Sequence, residues 1–304
     1  MIDTKVTICG VTFENPIITA SGTFGFGEEF DEYAPLSEYG GICVKGLKLL
    51  PTPGNPPPRI AETPAGILNS VGLQNPGVEA FLEKDLPRLR TFDTKLIVNI
   101  AGNTIDEYCQ MAARLADADG IAMLELNISC PNVKEGGVAF GTNAATVNEI
   151  TRRVKKEARQ PLVVKLSPNV TDITEMARAA EDGGADAISL INTLLGMAID
   201  VHSRRPILKN NMGGLSGPAV KPVAVRMVYQ VANAVSLPVI GMGGVMSGED
   251  VAEFLLAGAS VVALGTGMFQ KPDLILDVKQ ELLDYMRTHQ VEHVTDLIGK
   301  VELN

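Results

Sequence analysis

Ile121-Ala-Met-Leu-Glu-Leu126, followed at once by Asn127-Ile-Ser-Cys-Pro-Asn132, is the stretch on which the reading of the fold turns. The first half is an apolar run of strand length and predicts a short buried strand. The second half puts an amide, a hydroxyl and a thiol where that strand stops. Pro131 has no N–H and bars a regular helix at this point. Gly136-Gly137 then opens the chain into a loop. A strand that ends on polar side chains and a glycine-rich loop presents groups to a ligand. A single free cysteine more often packs as a small hydrophobe, so this stretch alone leaves both readings open. Recurrence of the pattern elsewhere decides between them.

The pattern recurs on both sides. Asn15-Pro-Ile-Ile-Thr-Ala20 runs into Ser21-Gly22, Gly41-Ile-Cys-Val44 into Lys45-Gly46, and Lys95-Leu-Ile-Val98 into Asn99. Downstream, Leu162-Val-Val164 ends on Lys165 and Ala187-Ile-Ser-Leu-Ile191 on Asn192-Thr193. Pro238-Val-Ile240 ends on Gly241-Met-Gly-Gly244, and Ser260-Val-Val-Ala-Leu264 on Gly265-Thr-Gly267. Helical periodicity fills most of the gaps, over 142–159, 171–182, 218–235, 247–257 and 275–289. Thr104-x-x-Glu107 has the form of a capping box before another helix. Ala118-Asp-Gly-Ile-Ala, Gly183-Gly-Ala-Asp-Ala-Ile and Ala257-Gly-Ala-Ser-Val-Val form a quasi-repeat, each closing a helix and starting a strand. Eight apolar strands alternating with helices predict an α/β fold, a (β/α)8 TIM barrel, as one domain over residues 1–304. A doubly wound open sheet is the runner-up, disfavoured because no G-x-G-x-x-G follows a strand.

Two segments lie outside this rhythm. Lys5–Ile8 and Val11–Phe13 flank Cys9-Gly10 and predict an N-terminal β-hairpin under the main fold. Residues 47–76 hold Pro51, Pro53, Pro56, Pro57, Pro58 and Pro64, an inserted Pro-rich loop too long to be a simple connection. Within it, 59–62 and 65–68 predict a hairpin that delivers Asn69-Ser-Val-Gly-Leu-Gln-Asn-Pro-Gly77.

Composition narrows the function. The chain has 304 residues, 45% hydrophobic, with no Trp and 5% aromatic residues, which disfavours stacking platforms for single-stranded nucleic acid. The net charge of −10 disfavours phosphate backbones as partners. Cys9, Cys43, Cys109 and Cys130 show no C-x-x-C spacing, and His202, His289 and His293 are the only histidines, so no metal or iron–sulfur site is expected in this chain. Residues 1–20 lack the form of a signal peptide and no apolar run reaches membrane-spanning length, so no membrane association and a cytoplasmic location are expected.

Barrel active sites sit at the C-terminal ends of the strands. The expected tips carry Ser21, Lys45, Asn99, Asn127, Cys130, Lys165 and Asn192-Thr193, with two Gly-rich turns after the last two strands. Those turns are where barrels commonly hold phosphate through backbone N–H groups, and Ser216-Gly217 adds another candidate donor. Two amines and several amides without a carboxylate disfavour glycoside hydrolysis and suit a phosphorylated ligand with a polar ring system.

Asn127-Ile-Ser-Cys-Pro-Asn132, Asn69-Ser-Val-Gly-Leu73 and Ile240-Gly-Met-Gly-Gly244 resemble the dihydroorotate dehydrogenases, flavin mononucleotide (FMN) barrels of pyrimidine biosynthesis. The resemblance runs from Asn15 to Phe269 and is greatest to class 1B, the NAD-linked catalytic subunit. Cys130 stands where class 2 enzymes carry serine, no membrane-associating extension precedes the barrel, and Gly72-Leu-Gln-Asn-Pro-Gly77 is unlike the class 1A pattern. The resemblance implies that Ala20, Ser21, Gly22, Lys45, Gly46, Asn99, Asn127, Lys165 and Ile191 line the flavin. Gly217, Gly243, Gly244, Gly265 and Thr266 would take its phosphate. Orotate would be held by Lys45, Asn69, Ser70, Val71, Gly72, Leu73, Asn127, Asn132, Asn192 and Thr193. Cys130 would be the general base, taking a proton from C5 of dihydroorotate while hydride leaves C6 for the flavin, under a loop from Pro131 to Gly141 acting as a lid. It also implies a partner subunit carrying FAD and a 2Fe-2S cluster, in a heterotetramer around a catalytic homodimer. Three alternatives stay open: a fumarate-dependent class 1A enzyme, a barrel synthase or aldolase using Lys45 or Lys165 as a Schiff base, and a non-catalytic flavin-binding module.

Overall fold

The structure, a computed structural model, describes residues 2–128 and 140–304. Eight parallel strands close into a barrel, each paired with its successor and the last with the first. They are β1 (Ile17–Thr19), β2 (Gly41–Leu47), β3 (Lys95–Ile100), β4 (Met123–Asn127), β5 (Leu162–Lys165), β6 (Ala187–Leu190), β7 (Val239–Met242) and β8 (Val261–Leu264). The expected TIM barrel is therefore the observed fold. Strands covered on both faces read as apolar runs rather than as alternation. Accordingly β4 to β8 are buried at every position. Gly41 starts β2 where a Cβ would lie 2.8 Å from the Phe13 ring, so the strand can pass only as glycine.

The outer helices begin on side-chain caps. Helix α1 (Ile105–Leu115) is capped by Thr104, α2 (Ala144–Glu157) by Asn143, and α3 (Ile173–Asp182) by Asp172. The capping box expected at Thr104 is only half made: Thr104 Oγ1 accepts from Glu107 N, but the Glu107 carboxylate accepts from Asn103 N, one residue earlier. The single helix expected over 218–235 is split into a 3-10 turn, Pro218–Val220, and α4 (Lys221–Ala232). Pro222 explains the split, because its ring tolerates only the first turn of an α-helix. A full capping box between Ser247 and Asp250 starts α5 (Gly248–Leu256), which packs on α6 (Leu274–Thr288).

Strands Val6–Ile8 and Val11–Phe13 form the expected hairpin. Cys9 and Gly10 both have positive φ, the conformation of a tight hairpin turn. Ile8 and Phe13 are buried, and Cys9 Sγ donates to the Asp186 carbonyl just ahead of β6. The hairpin therefore closes the N-terminal end of the barrel.

The opposite end carries a four-stranded antiparallel sheet in the order Leu194–Gly196, Gly213–Ser216, Gly66–Asn69, Ile60–Thr63. Its second half is the hairpin expected in the Pro-rich insertion. Its first half comes from the chain after β6 and was not expected. Asn75 braces the insertion: its Oδ1 accepts from Lys48 N and Gly77 N, and its Nδ2 donates to the Leu73 carbonyl. A helical segment over 78–89, also unexpected, contains a wide π turn at Phe81–Asp85. Pro87 lies just beyond it, and its missing N–H deprives the turn of a regular partner.

Candidate active site

A cavity of 710 Å³ lies between the C-terminal mouth of the barrel and the antiparallel sheet. That is within the range of about 300–1,000 Å³ for small-molecule sites. Its barrel side presents Ala20, Ser21 and Gly22 after β1, Lys45 in β2, Asn127 ending β4 and Lys165 ending β5. Ile191, Asn192 and Thr193 follow β6; Gly243 and Gly244 follow β7; Gly265 and Thr266 follow β8. The sheet side brings Asn69, Ser70, Val71, Gly72 and Leu73, and Gly217 completes the far end. Residues up to 246 positions apart, from Ala20 to Thr266, thus meet in one cleft, as the strand-tip reading requires.

Two of the expected residues that are described, Asn99 and Gly46, do not line it. Cys130 and Asn132 lie outside the described residues. Asn99 is wholly buried behind the wall, where its Oδ1 accepts from Asn127 Nδ2 at 3.4 Å. Gly46 stands behind it too: a Cβ there would lie 2.7 Å from Asn99 Oδ1.

The two lysines have different surroundings. Lys45 donates to the Gly22 carbonyl at 3.4 Å, and burial, then the nearby Arg59 charge, pulls its ammonium below the ordinary lysine range. Lys165 donates to Ser21 Oγ at 3.3 Å and lies 3.8 Å from the Glu125 carboxylate. Glu125 is a buried carboxylate beside the site that the strand-tip pattern does not point to. It precedes Asn127 by two positions in β4, so both side chains leave the strand on the same face. The strand tips have no carboxylate, but the layer beneath them does. That i, i+2 spacing from Asn127 was the available signal. Cys43 Sγ donates to the same carboxylate at 3.6 Å, and burial followed by the Glu125 charge pushes the thiol well up, so it stays neutral.

At the far end the Thr266 hydroxyl donates to Ser216 Oγ at 2.8 Å. Gly217 has φ +102° and Gly244 has φ +81°, and a Cβ on Gly244 would lie 2.7 Å from the Gly217 carbonyl. Only glycine allows these two turns to approach this closely, and both line the cleft near the start of α4, a place suited to a phosphate. At the sheet side, Ser70 Oγ is buried without a hydrogen-bond partner among the described residues. A buried hydroxyl is costly when unpaired, and this one belongs to a residue on the cavity wall. A ring with carbonyl and carboxylate oxygens would satisfy it. The donor set therefore fits a ligand with a phosphate at one end and a polar ring at the other, with room for a second small ring beside Asn69 and Asn192. Among the described residues, no group of three or more His, Cys, Asp or Glu is placed to hold a metal.

Known proteins bear on this site in three ways. The family model of dihydroorotate dehydrogenase matches residues 3–286. The dihydroorotate dehydrogenase B (NAD(+)) catalytic subunit of Alkaliphilus oremlandii is 61% identical over 97% of this chain and 98% of the relative. That of Alkaliphilus metalliredigens is 60% identical over 99% of both. Among solved structures, a dihydroorotate dehydrogenase of Eimeria tenella in complex with ferulenol superimposes with TM-score 0.82 at 25% identity, over 98% of this chain and 88% of that one.

Proposed function

The chain belongs to the dihydroorotate dehydrogenase family of oxidoreductases, and from that premise we propose that it oxidises (S)-dihydroorotate to orotate for pyrimidine biosynthesis, as the FMN-bearing catalytic subunit of a cytoplasmic, NAD-linked complex. The observation that carries the reading is the meeting of residues in or just after seven of the eight barrel strands, all but β3, with the Asn69–Leu73 segment in one cleft. The whole chain acts as one catalytic domain. Membership of the family displaces the aldolase and non-catalytic alternatives.

In this reading Lys165, Asn127 and Ser21 hold the flavin ring, while Gly217, Gly243, Gly244, Gly265 and Thr266 hold the phosphate. FMN, when bound, supplies the acceptor for the hydride that leaves C6 of the substrate. Asn69, Asn127, Asn192 and Thr193 fix the substrate ring through amide and hydroxyl pairs. Lys45 faces its carboxylate with a positive charge. The Cys130 thiolate accepts the proton from C5 at its Sγ, with Asn132 as a further amide on the ring. Such a positioned base contributes roughly 10²–10⁴-fold.

The reduced site must then pass electrons on. The relatives are named as catalytic subunits, which supports a partner, and the proposed partner carries FAD and a 2Fe-2S cluster in a heterotetramer around a catalytic homodimer. The test has two steps. Heat-denatured protein should release FMN, and anaerobic mixing of intact protein with dihydroorotate should bleach the flavin spectrum. Release of no flavin, or no bleaching, overturns the reading. Reduction of NAD by the isolated chain as fast as by the complex removes the partner, and a preference for fumarate points to class 1A instead.

A further inference from the structure

Barrel interiors are normally filled by branched apolar side chains. Here the layer beneath the cavity floor holds a carboxylate. Glu125 is 3% exposed, and its side chain and that of Lys165 are 4% and 6% exposed, so both charges of the pair are out of water. Replacing such a pair by apolar residues is often neutral or stabilising. Stability alone therefore does not account for a glutamate at this place, whereas its contacts do.

Register explains how the contacts arise. Glu125 in β4 pairs with Asn99 in β3, and Asn127 pairs with Lys165 in β5. Paired residues of parallel strands share a face, and so do Glu125 and Asn127. The four side chains form a square inside the barrel, two on the cavity floor and two beside or beneath it. A carboxylate only accepts hydrogen bonds. Asn99 must therefore turn its amide nitrogen toward Glu125, as observed at 3.2 Å. Its oxygen is left to face Asn127 Nδ2. On the other arm Lys165 lies between Glu125 and Ser21. The neutral Cys43 thiol supplies a further donor to the carboxylate from below. The Glu125 carboxylate thus touches two arms, one hydrogen-bonded through Asn99 to Asn127 and one an ion-pair contact with Lys165, which itself donates to Ser21; Asn127, Lys165 and Ser21 are all on the cavity wall.

We propose that Glu125 is a positioning residue: its carboxylate fixes the Lys165 ammonium and the Asn99–Asn127 amide pair, and by offsetting the Lys165 charge it sets how strongly the site favours the reduced cofactor. The proposal rests on the flavin reading above. A cofactor that gains negative charge on reduction is favoured by an uncompensated cation and less so by a cation with a counter-charge behind it. Removing the counter-charge while keeping the shape of the side chain should therefore make the flavin easier to reduce.

The experiment is an anaerobic redox titration of the bound flavin against reference dyes, in the wild type and in variants that retain flavin. Glu125→Gln should raise the ratio of reduced to oxidised flavin at fixed ambient potential about tenfold, equal to a rise of about 30 mV for a two-electron couple. In a Lys165→Met background the same substitution should move the potential by well under half as much, because the lysine that transmits the effect is gone. Glu125→Asp keeps the charge but withdraws it by one methylene, and should give a smaller rise. It carries the test by itself if Glu125→Gln does not accumulate as folded protein. An unchanged or lowered potential in Glu125→Gln, a wild-type potential in Glu125→Asp when it alone is available, or an equal shift without Lys165 overturns the proposal. Wild-type protein that binds no flavin overturns the earlier reading, and this one with it; a flavin-loaded wild type with an insensitive Glu125 overturns only this one.

Discussion

The hydroxyl of Thr266, in the turn after β8, donates to the hydroxyl of Ser216, at the end of a strand of the antiparallel sheet, at 2.8 Å. This bond ties the sheet over the cleft to the barrel that forms its floor, beside the glycines assigned to the phosphate. One such bond contributes about 1 kcal/mol, equal to roughly fivefold in affinity. Thr266→Val and Ser216→Ala should each weaken FMN binding to the apoprotein by about that factor, and the double variant should lose less than the product of the two. Fluorescence titration of FMN with the apoproteins measures this; strictly multiplicative losses would show that the pair does not act as a unit.

Asn75 makes three side-chain hydrogen bonds to the backbone of the insertion. Asn75→Ala should lower unfolding stability by about 2–3 kcal/mol, near the sum of three net hydrogen bonds. It should also raise KM for dihydroorotate, because it frees the Leu73 end of the Asn69–Leu73 segment, while the flavin content stays at the wild-type level. Chemical denaturation and steady-state kinetics on the same preparation check both. Loss of flavin with unchanged KM would contradict the assignment of this segment to the substrate.

Lys45 carries a pH prediction. Burial and the Arg59 charge lower its pKa from the ordinary 10.5. A lysine with a depressed pKa is charged below that pKa and loses its charge as pH rises through it, so it does so earlier than an exposed lysine. Orotate affinity should accordingly decline with rising pH, starting below the ordinary lysine range. Lys45→Met should bind orotate weakly and without that decline. Calorimetric binding across pH decides the matter, and a decline that persists in Lys45→Met would assign it to another group.

Cys130→Ala should slow flavin bleaching by dihydroorotate by roughly 10²–10⁴-fold, with little change in orotate affinity. Cys130→Ser should also be slow and should recover in part at high pH, since a hydroxyl is the poorer base. Stopped-flow traces across pH test this. Wild-type rates in Cys130→Ala would return the residue to the packing role of an ordinary buried thiol.

The barrel was legible because its strands announce themselves: each apolar run stops on a polar or glycine residue, and the tips from Ser21 to Thr266 meet in space as that pattern requires. Three features around the site were not legible. The strands at Leu194–Gly196 and Gly213–Ser216 are short and glycine-rich, and Gly213–Ser216 is completed by pairing with Gly66–Asn69, far away in the chain, which local periodicity cannot report. Glu125 sits inside an apolar run, which hides it, although two residues further on the same face leads to Asn127. Asn99 ends its run as the other tips do, yet its β3 continues to Ile100, and it lies behind the wall rather than on it.

The strand pairing over the cleft also has a consequence for biosynthesis. Asn69 and Gly214 are partners separated by 145 residues. At about 5–20 residues per second, the ribosome needs roughly 7–30 s after making the first to deliver the second. During that interval the Gly66–Asn69 strand has one edge without its eventual neighbour. Unpaired edges invite association with other chains. The nascent polypeptide is thus exposed to misassembly through the middle of translation, from the making of Asn69 until Gly214 gives the ligand cleft its roof.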